Sequence, residues 1–478
     1  MTTNALLVRC FLADYSRNGP NLVLLAVIPV VFVVVAAPPM ADAARLLGGT
    51  GGGPAVETVT AGWAAAFLTA VAMYFQISSA RTTDRRLALA GLARVRLATA
   101  RLTAGAVLLA DLMRLKPNAV AVGGTHGKTT TTSLTGLVIS EGDFDPTIIV
   151  GGKVSVFGSN AVSGEGDIII IEADEYDRTF LRLTPIVAVI TNIEAEHLDI
   201  YADLDDIKDA FTQYANKVPF FGRVIACLDD ANVQDILGNI DRPVVTYGTA
   251  RQANIRADEI RKDGMEQYFG VWHNDTFLGE INLHVPGIHN VRNALAAIAV
   301  GLEMEMPFES IASGLDKFTG VQRRFQLKGV ENDIYVIDDY AHHPTEVKAT
   351  LKAANEGWRT KRIVAVFQPH LYSRTEDFKE EFARAFFNAD LLVITDVFPS
   401  REAPRPGITG ALIADLAKHY GHRHVHYVED KKELPHYLKE LTQSGDVVIT
   451  MGAGDIWRYG EAFLQLISNG EDNGTGSA

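Results

Sequence analysis

A short apolar strand, a glycine turn and a helix in immediate succession restrict the fold of this chain more than any other feature. Residues 119–122 are apolar, glycines follow at 123, 124 and 127, and Lys128 leads into a run of threonines. This pattern predicts a phosphate-binding loop, whose backbone N–H groups, lysine and helix N-terminus surround a phosphate. The predicted nucleotide-binding residues are Gly123, Gly124, Thr125, His126, Gly127, Lys128, Thr129 and Thr130.

Length and charge limit the class of protein. The 478 residues are enough for roughly three domains of ~150 residues each. The formal net charge of -14 argues against a nucleic-acid-binding protein, which normally presents a basic face. The two cysteines, Cys10 and Cys227, are far apart in the sequence, so neither a disulfide framework nor a zinc site is predicted.

The first hundred residues differ in composition from the rest. Residues 1–101 contain nine Arg, no Lys and four acids, a net charge of +5 against -19 for the remainder. Apolar runs at residues 22–37 and 61–77 have arginines on their outer flanks, which predicts a two-helix membrane hairpin with both ends in the cytoplasm. Because each run is at the lower length limit for a bilayer span, two buried helices of a soluble domain are the alternative.

After the glycine turn, short β-branched runs alternate with helical stretches. The runs at residues 147–150, 168–174, 186–191 and 224–228 predict a mostly parallel, buried sheet with ligand sites beyond the strand ends. Residues 250–285 alternate as antiparallel strands do, and residues 290–304 predict a helix. A second α/β unit starts near Phe325, with predicted strands at 334–337, 363–367, 391–394, 425–428 and 447–450.

The predicted fold class is therefore α/β, with a central phosphate-loop domain and a C-terminal Rossmann-like domain. The predicted boundaries are 1–104 for the apolar helical segment, 105–324 for the central domain, 325–468 for the C-terminal domain and 469–478 for a disordered tail.

Acidic residues and a histidine follow two strands of the central sheet. Residues 172–177 read Glu-Ala-Asp-Glu-Tyr-Asp, and strand geometry places Glu172 beside the phosphate loop. A magnesium ion held by Thr129 needs further oxygen ligands, which Glu172 could provide. His197 follows the next strand and predicts a second metal position, although a single histidine at a strand end is more often structural.

The C-terminal unit carries its own polar cluster. Residues 338–344 read Asp-Asp-Tyr-Ala-His-His-Pro, at the end of a predicted strand, where they could bind ribose hydroxyls, phosphate or an incoming amine. Adjacent histidines have poor geometry for one zinc ion. The arginines at 374, 401 and 405 either bind carboxylates or are ordinary exposed loop residues.

Seven motifs in order over residues 105–465 resemble the Mur ligases, and among them the branch that adds L-alanine. The motifs are the loop at 124–131, the acidic tip at 172–175, residues 191–199, residues 289–294, Arg323-Arg324-Phe325, residues 338–344 and residues 368–374.

The resemblance implies an ATP-dependent amide ligase of peptidoglycan precursor synthesis. ATP would phosphorylate the carboxylate of UDP-N-acetylmuramate, and the amine of L-alanine would attack the resulting acyl phosphate. The implied cofactors are ATP and Mg²⁺. By position, the implied roles are Lys128 at the γ-phosphate, Thr129 and Glu172 on one magnesium, His197 on a second, His289, Asn290 and Asn293 at the adenine, Arg324 and Asp339 at the nucleotide, and Tyr340, His342, His370 and Arg374 at the amino acid or the transferring phosphate.

Two alternatives to the L-alanine ligase stay open. Residues 1–100 lack the glycine-rich turn through which the family's N-terminal domain binds the sugar nucleotide. A membrane-anchored nucleotide-binding protein without ligase activity is therefore one alternative, and the related ligase that adds a recycled tripeptide to the same sugar is the other. Residues 368–374 favour L-alanine. The expected location is the cytoplasm, with anchoring in the cytoplasmic membrane if residues 22–77 form the hairpin.

Overall fold

The computed structural model describes residues 113, 116–151, 159–176, 178–197, 200–400 and 402–468. The predicted hairpin, the predicted segment 1–104 and the tail 469–478 lie outside the described residues. Within the described part of the chain, no helix is both long and apolar enough to cross a bilayer. This part forms two compact units, residues 113–128, 142–150 and 161–245 in the first and residues 129–141, 151, 159–160 and 246–468 in the second.

A mostly parallel sheet forms the first unit. Its strands stand in the order β6-β5-β1-β4-β2-β3, and only β3 runs antiparallel to its neighbour. The elements are β1 (Asn118–Gly123), α1 (Lys128–Glu141), which leads into the second unit, β2 (Thr147–Ile149), β3 (Ala161–Val162), β4 (Ile168–Glu172), β5 (Val187–Ile190), α2 (Leu204–Asn216), β6 (Arg223–Cys227), α3 (Ala231–Leu237) and β7 (Val244–Gly248), which also leads into the second unit.

Helix α2 is held in the first unit by a capping residue and by buried aromatic side chains. Asp203 caps the helix by accepting a hydrogen bond from the backbone N–H of Asp206 at 2.9 Å, which satisfies one of the N–H groups left open at a helix start. The buried face carries Phe211 and Tyr214. The Tyr214 hydroxyl donates to the Ala121 carbonyl at 2.7 Å, so the helix is tied to the central strand that leads into the glycine turn.

The second unit contains an antiparallel three-stranded segment, a helical layer and a second sheet. The second sheet has the order β11-β12-β16-β13-β14-β15, and only β11 is antiparallel. The elements are β8 (Ile255–Asp263), β9 (Glu266–His273), β10 (Thr276–Leu283), α4 (Ile288–Glu303), α5 (Phe308–Asp316), β11 (Gln326–Glu331), β12 (Ile334–Asp339), α6 (Pro344–Gly357), β13 (Ile363–Phe367), α7 (Tyr372–Asp377), α8 (Lys379–Ala385), β14 (Leu391–Thr395), α9 (Gly410–His419), β15 (Val425–Val428), α10 (Leu434–Leu441), β16 (Val447–Met451) and α11 (Trp457–Ser468).

Helices α1 and α5 approach closely within the second unit. A Cβ placed on Gly314 would lie 2.7 Å from the Cα of Val138, so the absence of a side chain permits this contact. The predicted α/β fold with mostly parallel sheets is confirmed. The predicted antiparallel strands over 250–285 are β8, β9 and β10. Strand β11 was not predicted.

Candidate active site

The glycine turn after β1 is tightly shaped. Gly124 has φ of 136° and Gly127 has φ of 82°, both in the left-handed region that favours glycine. A Cβ on Gly124 would lie 1.9 Å from the Oγ1 of Thr191. Only a residue without a side chain fits at this point.

The segment after β5 supports the loop from one side. The Asn192 side chain accepts from the His126 N–H at 2.8 Å and donates to the His126 carbonyl at 3.0 Å. The Asn192 carbonyl accepts from the Thr125 N–H at 2.9 Å. The Thr191 hydroxyl adds a bond to the His126 carbonyl at 2.6 Å. The loop is therefore held in shape by neighbouring protein groups.

Lys128 lies at the end of the loop and is paired with a carboxylate. Its Nζ donates to the Gly124 carbonyl at 2.8 Å and to the two oxygens of Glu175 at 2.9 and 2.7 Å. Burial alone would lower the pKa of Lys128, but Glu175, Asp174 and Glu172 together raise it above its usual range. Lys128 therefore carries a fixed positive charge.

Glu175, Glu196 and His197 form a group with metal-ligand chemistry. One ligand atom from each lies within 4.8 Å of the others, and the Nε2 of His197 is 3.7 Å from Glu175 and 4.0 Å from Glu196. Burial acts to raise the pKa of Glu175, but Lys128 and His197 hold it below its usual range. Two carboxylates and an imidazole suit a divalent cation, so the residues present fit the implied metal.

Glu172 and Thr129, which are predicted to hold one magnesium ion, make different contacts in the structure. Glu172 is paired with Val122 in the β1–β4 register and contributes to the electrostatic field at Lys128, but it is not a member of the group around His197. Thr129 is the second residue of α1, and its carbonyl accepts from the Ser133 hydroxyl at 2.7 Å. The assignment of Thr129 and Glu172 to a magnesium ion stays a prediction.

In the second unit, the predicted adenine residues lie in the first two turns of α4. The Asn290 side chain donates to the Pro286 carbonyl at 2.7 Å, and the Asn293 side chain donates to that of Asn290 at 3.2 Å. Both asparagines are buried, and His289 is partly exposed. These bonds fix the helix start, and an adenine contact stays a prediction.

Arg323 joins two strand ends of the second sheet. Its Nε donates to the fully buried Asp338 carboxylate at 3.0 Å. Its two terminal nitrogens donate to the carbonyls of Gly452 and Gly454. The guanidinium also lies 4.9 Å from the centre of the Tyr340 ring, within range of a cation–π interaction. Arg323 therefore fixes the loop that follows β16.

Asp339 and Arg324 were predicted to contact the nucleotide. The two oxygens of Asp339 accept from the N–H groups of Ala341 at 2.7 Å and Phe325 at 2.9 Å, so this carboxylate shapes the backbone. Arg324 is 3.4 Å from Glu346 and also faces the Tyr340 ring at 5.4 Å. Their nucleotide roles stay predictions.

The residues predicted for the amino acid are partly brought together. The Nδ1 of His342 is 3.1 Å from both the Tyr340 carbonyl and Glu346. The rings of His342 and His370 have centroids 5.9 Å apart, and His370 stacks on Phe398. Arg374, in the first turn of α7, remains a prediction for this group.

Two family sequence models match the chain. The Mur ligase middle domain matches residues 122–301, and the Mur ligase, glutamate ligase domain matches residues 323–454. The chain belongs to the Mur ligase family.

Two curated relatives and one solved structure are named for the same activity. This chain is 61% identical over 370 residues to the UDP-N-acetylmuramate–L-alanine ligase of Salinibacter ruber, and the match covers 77% of each chain. Identity to the same ligase from a Geobacter species is 47% over 359 residues, covering 75% of this chain and 78% of the relative. The crystal structure of the UDP-N-acetylmuramate-alanine ligase of Thermotoga maritima aligns with TM-score 0.64 and 30% identity, over 76% of this chain and 79% of the other.

Sequence reasoning missed several residues of this Mur ligase. Glu175 stands in the predicted acidic tip, but nothing in its spacing shows that it pairs with Lys128. Glu196 precedes the predicted His197, and Arg323 precedes the predicted Arg324. Glu196 and Arg323 each lie next to a chosen residue and Glu175 lies three positions after Glu172, so proximity in the sequence was the available signal. The contacts of Glu175 with Lys128 and of Arg323 with Asp338 and Gly452 connect positions far apart in the sequence.

Two groups in the second unit, His289 and Asp339, have displaced pKa values that affect stability in opposite directions. Burial, together with nearby Arg292 and Arg324, lowers the pKa of His289 to about 4. Burial raises the pKa of Asp339 to about 6, although Arg324 acts in the opposite direction. Both shifts are towards the neutral form, and near pH 7 the His289 ring is neutral whereas Asp339 is still ionised.

These shifts predict a pH dependence of stability. As pH falls from about 6.5 to 5, the unfolded chain protonates His289 and the folded chain does not, so His289 lowers the free energy of unfolding by about 2 kcal/mol. Asp339 acts in the reverse sense, since the folded chain takes up its proton near pH 6. Denaturant titration at both pH values should show that His289→Gln removes this loss. Asp339→Asn should enlarge the loss. An equal change in the free energy of unfolding between the two pH values in wild type and both variants would contradict both pKa shifts.

Proposed function

We propose that this Mur ligase joins L-alanine to UDP-N-acetylmuramate in an ATP-dependent reaction of peptidoglycan precursor synthesis. The observation that carries the proposal is its 61% identity to a UDP-N-acetylmuramate–L-alanine ligase over 77% of both chains. The phosphate loop with Lys128 agrees with an ATP-dependent reaction. ATP would activate the muramate carboxylate as an acyl phosphate, and the amine of L-alanine would displace phosphate to form the amide.

The glycine turn and the residues that follow it suit the phosphate-transfer step. The backbone of the glycine turn and the helix start would bind the phosphates. Lys128 would place its fixed positive charge beside the γ-phosphate, where negative charge must be neutralised during transfer. Divalent cations would supply further charge neutralisation when bound, with Thr129 and Glu172 proposed as protein ligands of one cation and His197 as a ligand of a second. No enzyme nucleophile is needed, because positioning and charge carry the reaction.

Residues of the second unit suit the amide-forming step. The Nδ1 of His342 faces the Tyr340 carbonyl and Glu346, each at 3.1 Å, so its proton belongs on Nδ1. The Nε2 is then the basic nitrogen, able to accept a proton from an amine. His370 and Arg374 are proposed to orient the amino acid, and an arginine suits a carboxylate. His289, Asn290, Asn293, Arg324 and Asp339 are retained as proposed nucleotide residues.

Neither alternative gains support from a specific observation. The curated relatives are named for L-alanine. A murein peptide ligase of Psychrobacter arcticus is similar at 24% identity and TM-score 0.57, over 76% of this chain and 80% of the other. This similarity shows the fold alone.

Since ATP and nucleotide sugars are made in the cytoplasm, we place the reaction there.

Phosphate release from ATP tests the proposal. The purified chain should release phosphate with UDP-N-acetylmuramate and L-alanine together and form a product of matching mass. Omitting either substrate should reduce release to background. Release with tripeptide and not with L-alanine would select the recycling activity, and no release with either would reject both ligase activities.

A further inference from the structure

Glu175 occupies an unusual position for a carboxylate beside a phosphate loop. It is 2% exposed, and both of its oxygens accept hydrogen bonds from the Lys128 Nζ, at 2.9 and 2.7 Å. The Tyr201 hydroxyl donates to the Glu175 carbonyl at 2.6 Å, which fixes the backbone at this residue. Lys128 is thus already bound by an anion in the structure.

Nucleotide binding must change this pair. A terminal phosphate that engages Lys128 competes directly with Glu175 for the same ammonium group. If Lys128 moves to the phosphate, Glu175 is left as a buried carboxylate without its principal cation. A buried charge that loses its partner is strongly disfavoured, so nucleotide binding favours a replacement cation at Glu175.

The residues next to Glu175 are suited to hold that cation. His197 Nε2 lies 3.7 Å from the Oε1 of Glu175, and Glu196, which is 8% exposed, completes the group of three within 4.8 Å. Two carboxylates and an imidazole offer oxygen and nitrogen ligands to Mg²⁺ or Mn²⁺. Lys128 and a divalent cation would therefore be alternative partners of one carboxylate.

We propose that Glu175 alternates between two partners: Lys128 in the nucleotide-free enzyme, and a divalent cation shared with Glu196 and His197 once a terminal phosphate engages Lys128. The proposal rests on the ATP-binding part of the proposed function. Its consequence is a coupling between the two ligands. Nucleotide raises the affinity for the cation, and by linkage the cation raises the affinity for nucleotide by the same factor.

Binding measurements on Glu175→Gln test the exchange. Calorimetry with a non-hydrolysable ATP analogue in EDTA should give about tenfold tighter binding than wild type, because Lys128 is no longer held by a carboxylate. Electron paramagnetic resonance of unbound Mn²⁺, with the analogue saturating, should give about tenfold weaker Mn²⁺ binding, as expected for the loss of a metal ligand. Wild type with the analogue should bind more Mn²⁺ than the protein alone and the analogue alone bind together.

Two further variants separate the roles. Glu196→Gln should weaken Mn²⁺ binding about tenfold and leave metal-free analogue binding unchanged, and it provides the test if Glu175→Gln does not fold. Glu165→Gln, an exposed carboxylate in the same unit, should change neither affinity. Unchanged affinities in Glu175→Gln, or a change in only one of them, would overturn the exchange. Failure of the phosphate-release assay with these bindings intact would reject the ligase function alone.

Discussion

Lys128→Ala is expected to lower the rate of substrate-dependent phosphate release by about 10³-fold, as is typical when a preorganised charge at a transition state is removed. The physical reason is the position of the ammonium group, which the loop carbonyls of Gly124 and Thr125 hold at 2.8 and 3.2 Å. Steady-state release of phosphate from ATP, with both other substrates saturating, measures the effect. The pKa of Lys128 is far above neutrality, so the loss of rate should be the same across pH 6–9.

The same substitution also affects the fold, and this must be measured separately. Glu175 would lose the cation that holds its pKa down, and breaking a buried ion pair lowers the free energy of unfolding by roughly 3 kcal/mol. Denaturant titration should therefore accompany the rates. Lys217→Ala, which removes an exposed lysine just after α2, is the matched control and should change neither quantity. Phosphate release within tenfold of wild type in folded Lys128→Ala would contradict the proposed site.

The sequence predicted the loop well because its evidence is local. Glycines at 124 and 127 adopt the positive φ values that a phosphate cradle needs, and the apolar run at 119–122 is the central strand of the first sheet. Residues 250–285, which alternate between polar and apolar, form the antiparallel strands β8, β9 and β10, and this alternation is also a local signal. These patterns reflect backbone preference and burial along a few residues, which a sequence displays directly.

Other parts could not be predicted because they depend on long-range contacts. Strand β11 has a mixed pattern of burial, and its pairing with β12 creates the strand. The pairing of Lys128 with Glu175 joins residues 47 positions apart, and Glu175 also lies 3.7 Å from His197. The oxygens of Asp339, which is predicted to contact the nucleotide, also accept two backbone N–H groups. The sequence alone does not show this backbone contact.

Arg323→Met is expected to lower kcat/KM about a hundredfold and the free energy of unfolding by about 3 kcal/mol, the typical cost of leaving a buried charge without its partner. Asp338 is fully buried, and its remaining side-chain partner is the Thr450 hydroxyl at 2.9 Å. The carbonyls of Gly452 and Gly454 would lose their guanidinium donors. We regard Arg323 as a positioning residue, because it acts through the loop after β16.

A double variant distinguishes positioning from stability. Arg323→Met combined with Asp338→Asn removes the unpaired charge, so denaturant titration should recover most of the lost free energy of unfolding. Activity should stay low, because Gly452 and Gly454 remain without their donor, and the KM for L-alanine should rise more than kcat falls. Arg359→Met, an exposed arginine of the same unit, should match wild type in both assays. Recovery of activity together with stability in the double variant would show that Arg323 contributes through folding alone and has no role in placing the loop.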